Sequence, residues 1–217
     1  MPNPMPDSPF MISPSGVLVD TNYNTAPQAG IGSNINLGSP RVVSVPLPGA
    51  PAHLRGIGDF PLSGTFSGRR GTIEAAFTTG PTGTIQAVAC LGVSPGAVPV
   101  IGIFLSALNK PYALIYNNAG AIVGNVAALG ATLAAGTLLR IRLSWNSEAA
   151  ISVGAFASFR LNGELYPASN WSASPIAAWT PFTPTLAQVG VPNAAGPTAL
   201  AFAGTLHSVQ ISETVTL

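Results

Sequence analysis

Few residues in this 217-residue chain can do chemistry, and two of its seven arginines, Arg140 and Arg142, stand one residue apart in LRIRLSWN, residues 139–146. Read with period two, Leu139, Ile141, Leu143 and Trp145 fall on one side and Arg140, Arg142 and Ser144 on the other, the pattern of a half-buried strand. Guanidinium groups on the open face of such a strand have two uses. They can pair with carboxylates, for which Glu148 and Glu164 are the expected neighbours, or they can contact a partner, since Arg is enriched at interfaces.

The remaining candidates are thinner. His53 and His207 are the only histidines, too few for a metal site and without a carboxylate nearby in sequence; His207 is expected on a strand surface. Cys90, the only cysteine, excludes an internal disulfide, and AVACLGV offers it no nucleophile context, so a buried, inert thiol is expected. Asp7, Asp20, Asp59, Glu74, Glu148, Glu164 and Glu213 are scattered singly. They form neither an Asp-rich calcium loop nor the close carboxylate pair of a glycosidase. The expectation is therefore no catalytic residue, no metal and no cofactor. Trp171, Trp179 and Phe182, in NWSASPIAAWTPFTP, have three readings: a cover for the end of the core, an anchor for a protein interface, or a platform on which sugar rings stack.

The elements that would position these groups read as strands. From Arg41 onward, short apolar or alternating runs recur between turn signals: RVVSVPL, GTIEAAFTTG, IQAVACLGV, VIGIFLSAL, YALIYNNAGAIVGNV, LLRIRLSWN, AFASFRLNGELY and GTLHSVQISETVTL. None shows a helical stripe bounded by caps. Asn162-Gly163 marks a tight hairpin, because both central positions of a type I′ turn need positive φ. So many strands with Gly- and Pro-rich loops predict an all-β fold of two antiparallel sheets packed face to face.

Composition narrows the partners. Charged residues are 7% of the chain against roughly 25% in ordinary globular domains, so Ser, Thr, Asn, Gly, Ala and Pro must supply the surface. A net charge of +1 provides no basic field for a phosphate backbone, and nucleic acid is not expected. AIVGNVAALGATLAAGTLL, Ala121 to Leu139, is long enough to span a bilayer. Its small residues and its glycines at 124, 130 and 136 instead predict a buried pair of strands and no membrane contact.

Residues 1–40 read as an extended arm preceding a sandwich over 41–217. Five prolines in the first fourteen residues prevent a helix, and with no basic region and no continuous apolar core the segment does not read as a secretory leader. Phe10, Met11 and Ile12 are nonetheless too apolar for a purely solvated linker, which makes them candidates for contact with a partner.

The motifs AAGTLLRIRLSWN, FASFRLNGELY and FAGTLHSVQIS, with GTFSGRRGTIEAAFTTG upstream, resemble the concanavalin A-like jelly roll, in particular its laminin-G-like branch, over roughly residues 64–217. The resemblance implies carbohydrate or protein binding at a sheet face or loop rim, with glycoside hydrolysis in enzymatic relatives. Together with the weakly charged surface and the arm, it leads to the expectation of a non-enzymatic virion protein. That protein would be a bacteriophage capsid decoration protein, assembled in the host cytoplasm, self-associating and bound to other virion proteins. The alternative is a glycan-binding module of a fibre or adhesin, its groove lined by Trp171, Trp179, Asn117 and Asn118.

Overall fold

The computed structural model describes residues 10–12, 18–20, 41–42, 52–55, 58–62, 66–93, 99–126, 130–152, 155–166, 171–173, 177–190 and 201–217. Among these residues there is no helix. The strands are β1 (Phe10–Ile12), β2 (Leu18–Asp20), β3 (Arg41–Val42), β4 (Ala52–Arg55), β5 (Gly58–Pro61), β6 (Arg70–Thr78), β7 (Gln86–Gly92) and β8 (Pro99–Leu105). They continue with β9 (Pro111–Tyr116), β10 (Ile122–Val126), β11 (Leu138–Asn146), β12 (Ala157–Leu161), β13 (Glu164–Tyr166), β14 (Trp171–Ala173), β15 (Leu186–Val189) and β16 (Thr205–Ser212).

Two seven-stranded antiparallel sheets make the predicted jelly-roll sandwich. One runs β13-β12-β11-β6-β16-β4-β3 and the other β14-β10-β9-β8-β7-β15-β5. In the first sheet the alternation seen in the sequence is realised: Ile73, Ala75 and Phe77 of β6 and Leu139, Ile141, Leu143 and Trp145 of β11 turn into the core, as do Leu206, Val209 and Ile211 of β16. The second sheet is different. β7 and β9 are buried at every position, which is why IQAVACLGV and YALIY read as continuous apolar runs rather than alternating ones. Its inward residues, such as Ile101, Ile103 and Ile115, join the main core. Cys90, Phe104, Tyr112, Leu114 and Tyr116 form a second cluster on the opposite face, with Phe104 stacked on Tyr112 at 5.3 Å.

The hairpin at Asn162-Gly163 joins β12 to β13, with φ of 53° and 90° at the two residues, as a type I′ turn requires. Asn117 to Gly120 likewise turn β9 into β10, the Asn117 carboxamide oxygen accepting from the Ala119 and Ala121 amides at 3.0 and 2.9 Å.

The expectation of a buried strand pair over Ala121 to Leu139 is corrected. Strands occupy its ends, β10 and the start of β11, but residues 130–132 and 134–136 form an exposed connection. Small, glycine-punctuated residues suit a turn as readily as a strand core. No helix among the described residues is long and apolar enough to cross a membrane.

Most of the predicted arm, residues 1–40, lies outside the described residues. Within it, β1 pairs with β2 through Phe10↔Asp20, Met11↔Val19 and Ile12↔Leu18, a two-stranded sheet separate from both sheets of the sandwich. The side chains of Phe10, Met11 and Ile12 lie outside the description.

Trp145 locks the central ladder. Its indole Nε1 donates to the Gly68 carbonyl at 2.9 Å, and a Cβ on Gly71, its partner across β6, would stand 2.8 Å from the ring and 2.5 Å from the Ser212 carbonyl oxygen. Gly71→Ala is therefore expected to cost about 1–3 kcal/mol by overpacking, read as a melting temperature several degrees lower. An unchanged melting temperature would contradict this packing.

Candidate functional site

The outer face of the first sheet is built from residues that alternate with its core positions. Thr72, Glu74 and Ala76 of β6 face outward beside Ser144, Arg142 and Arg140 of β11, to which they are register partners. Beyond β11, Arg160 of β12 stands directly opposite Arg142 and Ser158 opposite Ser144. One cross-strand row therefore reads Gln210, Glu74, Arg142, Arg160, Leu165.

At one end this face is covered. The segment after β16 lies across it, and the Thr72 hydroxyl bonds the Thr214 carbonyl at 2.9 Å and accepts from the Thr216 amide at 3.0 Å. The Ser144 hydroxyl donates to the Thr216 carbonyl at 2.6 Å. Two hydroxyl groups, with one proton each, thus fasten a whole backbone segment, which is why Thr72 and Ser144 are buried on a nominally outer face.

At the other end it opens into a groove of about 550 Å3 lined by Glu74, Arg140, Arg142, Arg160, Leu138 and Leu217, among others. Ala76 and Gly163 also line it; having little or no side chain, they leave the space that the arginines surround. Asn162 fixes the wall: its carboxamide oxygen accepts from the Arg140 amide at 2.8 Å, and its own amide donates to the Arg140 carbonyl at 2.7 Å.

Three arginines thus meet one acidic side chain, and they are not equivalent. Arg142 donates from Nε to Glu74 Oε2 at 3.0 Å, with Nη2 also 3.0 Å from that oxygen, and from Nη1 to the Leu217 main-chain oxygen at 3.3 Å. The pair is 28% and 26% exposed, so its net contribution is small, about 0–1 kcal/mol. Arg160 donates from Nη1 to the Gly163 carbonyl at 2.9 Å, while its buried Nε has no partner among the described residues. Arg140 is exposed, and no carboxylate among the described residues pairs with it. Arg142 and Arg160 face each other across the ladder, where like charges oppose folding. Such an arrangement can receive a planar anion, since guanidinium forks match carboxylate geometry.

The structure brings Arg140 and Arg142 together as expected but changes their partners. Glu74, from β6, holds Arg142; Glu148 instead pairs with Arg69 at 2.7 Å. Arg160 and Glu74 belong to the site although spacing did not single them out. Their outward direction is visible in the alternation of FRLNG and GTIEAAF; their register against β11 is not. The aromatic candidates go elsewhere. Trp171 is buried in the core, and Trp179 and Phe182, partly buried, pack against it. His207 is exposed on β16, its Nε2 2.8 Å from the Thr78 hydroxyl. Among the described residues no three His, Cys, Asp or Glu gather as metal ligands.

Comparison with known proteins shows the fold. No protein-family model matches the chain, and a search of curated proteins returns no match. Among solved structures, it is similar to the Ruminococcus gnavus IT-sialidase CBM40 bound to α2,3-sialyllactose, at 14% identity and a TM-score of 0.52 over 77% of this chain and 91% of that one. The same module bound to α2,6-sialyllactose gives 0.51 at 14% identity over 77% and 92%. Trypanosoma rangeli sialidase in complex with sialic acid also gives 0.51 at 14% identity, over 83% of this chain. The chain spans only 27% of that sialidase's length.

Cys90 is fully buried, and burial pushes its thiol well above the ordinary value of 9.0, against a smaller lowering by a backbone hydrogen bond from Ile103. Burial also raises the Tyr112 phenol, with Cys90 and Tyr116 nearby adding to the shift. A thiol held neutral in the fold contributes stability that is fully present below pH 9 and is lost as pH rises beyond it. Iodoacetamide at pH 8 is therefore expected to leave the native protein unlabelled and to label it in urea. Rapid labelling of the native chain would show that Cys90 is accessible.

Proposed function

We propose that this chain is a non-catalytic carbohydrate-binding module whose ligand lies in the arginine groove on the outer face of the first sheet. The observation that carries this reading is the groove itself. Its volume is that of a small-molecule site, and it combines three guanidinium groups with one acidic side chain and an Asn-Gly turn, groups suited to hydroxyl and acid oxygens. Among the described residues Glu74 is the only acidic side chain lining it, whereas glycoside hydrolysis calls for two flanking the bond. The likeness to a CBM40 module bound to sialyllactose supports a sugar ligand on this architecture, although a shared fold by itself assigns no function. On a glycan array the protein is expected to bind a subset of glycans, and Arg140→Ala with Arg160→Ala is expected to abolish that signal without lowering the melting temperature. Array binding unaffected by the double substitution would move the site elsewhere.

A second reading, favoured by the β1–β2 hairpin, is that of a bacteriophage virion accessory protein, located in the virion and self-associating or attached to other virion proteins. Two three-residue strands that pair with each other and with neither sandwich sheet suit an arm that engages a neighbouring subunit, with Phe10, Met11 and Ile12 as its contacts. Deletion of residues 1–40 is then expected to preserve a β-rich domain with near-normal melting while weakening self-association or attachment to capsid shells. Normal assembly of the truncated chain would overturn this reading.

A further inference from the structure

Resting on the glycan-binding reading, we infer that residues 213–217 are a latch that competes with the ligand. Held across the sheet, they close one side of the groove; released, they lengthen it by a second row of binding groups. Three observations carry this.

The first is what the segment occupies. Ser212, Thr72, Ser144 and Ser158 stand opposite one another on β16, β6, β11 and β12, a cross-strand row of four hydroxyls. It runs beside the row of Glu74, Arg142 and Arg160, two residues away along each strand and therefore at a distance of about 7 Å. The main chain of residues 214–216 lies over the hydroxyl row. Ser212 and Thr72 both donate to the Thr214 carbonyl, at 3.1 and 2.9 Å, Thr72 accepts from the Thr216 amide, and Ser144 donates to the Thr216 carbonyl. The segment then reaches the arginines, where the Leu217 main-chain oxygen takes Arg142 Nη1 and Leu217 lines the groove. Hydroxyls that both donate and accept suit sugar hydroxyls as well as they suit main chain.

The second is how the segment is held. β16 buries Val209 and Ile211 just before it, but Thr214, Thr216 and Leu217 are exposed and Val215 is only partly buried. Its attachment is thus polar, through groups that exchange readily with water or ligand, and a segment with few buried apolar contacts opens at little cost. Its base is fixed: Glu213 Oε1 accepts from the Ser67 amide at 2.6 Å, so residues 214–217 can swing away while β16 stays in its sheet.

The third is a hydroxyl the segment leaves over. Ser158, beside Ser144 at the end of the row, is buried, and its Oγ has no partner among the described residues. A ligand lying along the row in place of the segment gains that bond as well, which favours glycans of several rings over single sugars.

Two measurements test this, one on the intact chain and one on a variant lacking residues 214–217. On a glycan array the variant is expected to bind the same glycans about three- to tenfold more tightly, with the larger gain for trisaccharides, since a latch closed in about nine molecules of ten lowers apparent affinity about tenfold. In hydrogen exchange, the Thr216 amide of the intact chain is expected to exchange several-fold faster when the glycan with the strongest array signal is bound, because the displaced segment loses its bond to Thr72. That measurement needs no truncation and decides the matter even where the variant fails to fold. Binding unchanged or weakened by truncation, or Thr216 exchange unchanged or slowed by the glycan, would overturn the latch and make the segment a wall of the site, leaving the glycan-binding reading intact. Empty arrays for both chains would sink that reading and the latch with it.

Discussion

The ladder between β6 and β11 is the constraint on which the rest of the molecule depends. Its nine consecutive register pairs, from Leu138↔Thr78 to Asn146↔Arg70, set two surfaces at once. Inward, Phe77 meets Leu139, Ala75 meets Ile141 and Ile73 meets Leu143 at the centre of the core; outward, Ala76 meets Arg140, Glu74 meets Arg142 and Thr72 meets Ser144. Because side chains alternate with period two, a slip by one residue would bury the arginines and expose Ile141 and Leu143. The Trp145 bond to Gly68 and the bare Cα of Gly71 beneath the indole ring hold the register at the end of the ladder farthest from the groove.

The groove is the outward consequence of that register. In a chain with so few charges, three of seven arginines line one concavity, and two of them are placed directly opposite each other. The arrangement is tolerated because Glu74 neutralises part of the charge, and because the tight Asn162-Gly163 turn adds no side chain that would fill the space. The neighbouring hydroxyls of Thr72 and Ser144 do the reverse, drawing residues 214–216 across the sheet and covering that end of the face. Whether an outer face becomes wall or floor is thus decided by a few short side chains.

The second sheet shows how the same architecture can be occupied differently. Its middle strands are buried on both faces, and Cys90, Phe104, Tyr112, Leu114 and Tyr116 make a second apolar layer. That layer carries a cost: Gln188, register partner of Cys90, is fully buried, and neither its amide atoms nor the Tyr112 hydroxyl has a hydrogen-bond partner among the described residues. Each such group opposes folding by about 1–3 kcal/mol. The two sheets therefore share one fold but differ outside the main core: one carries a second, buried apolar layer, the other a polar face with a charged groove. A likeness in overall fold to CBM40 modules cannot by itself place a site on either.

Much of this was legible in the sequence, because it depends on neighbours along the chain. Period-two alternation in LRIRLSWN and GTIEAAF gave strands with one face inward, the Asn-Gly dipeptide gave a hairpin whose positive φ values only such residues adopt readily, and the apolar run around Cys90 gave a buried thiol. What only the tertiary structure decided are the pairings between distant segments. Glu74 lies 68 residues from Arg142 in sequence, so its choice over Glu148 follows from which strands lie side by side and in what register, not from local pattern. The same holds for Arg160 opposite Arg142, for Trp171 and Trp179 turning onto the core, and for residues 130–132 and 134–136 lying exposed between β10 and β11. Local sequence determines which way a side chain points from its own strand. Which group it meets there is settled by long-range packing, where a shift of one residue exchanges every partner.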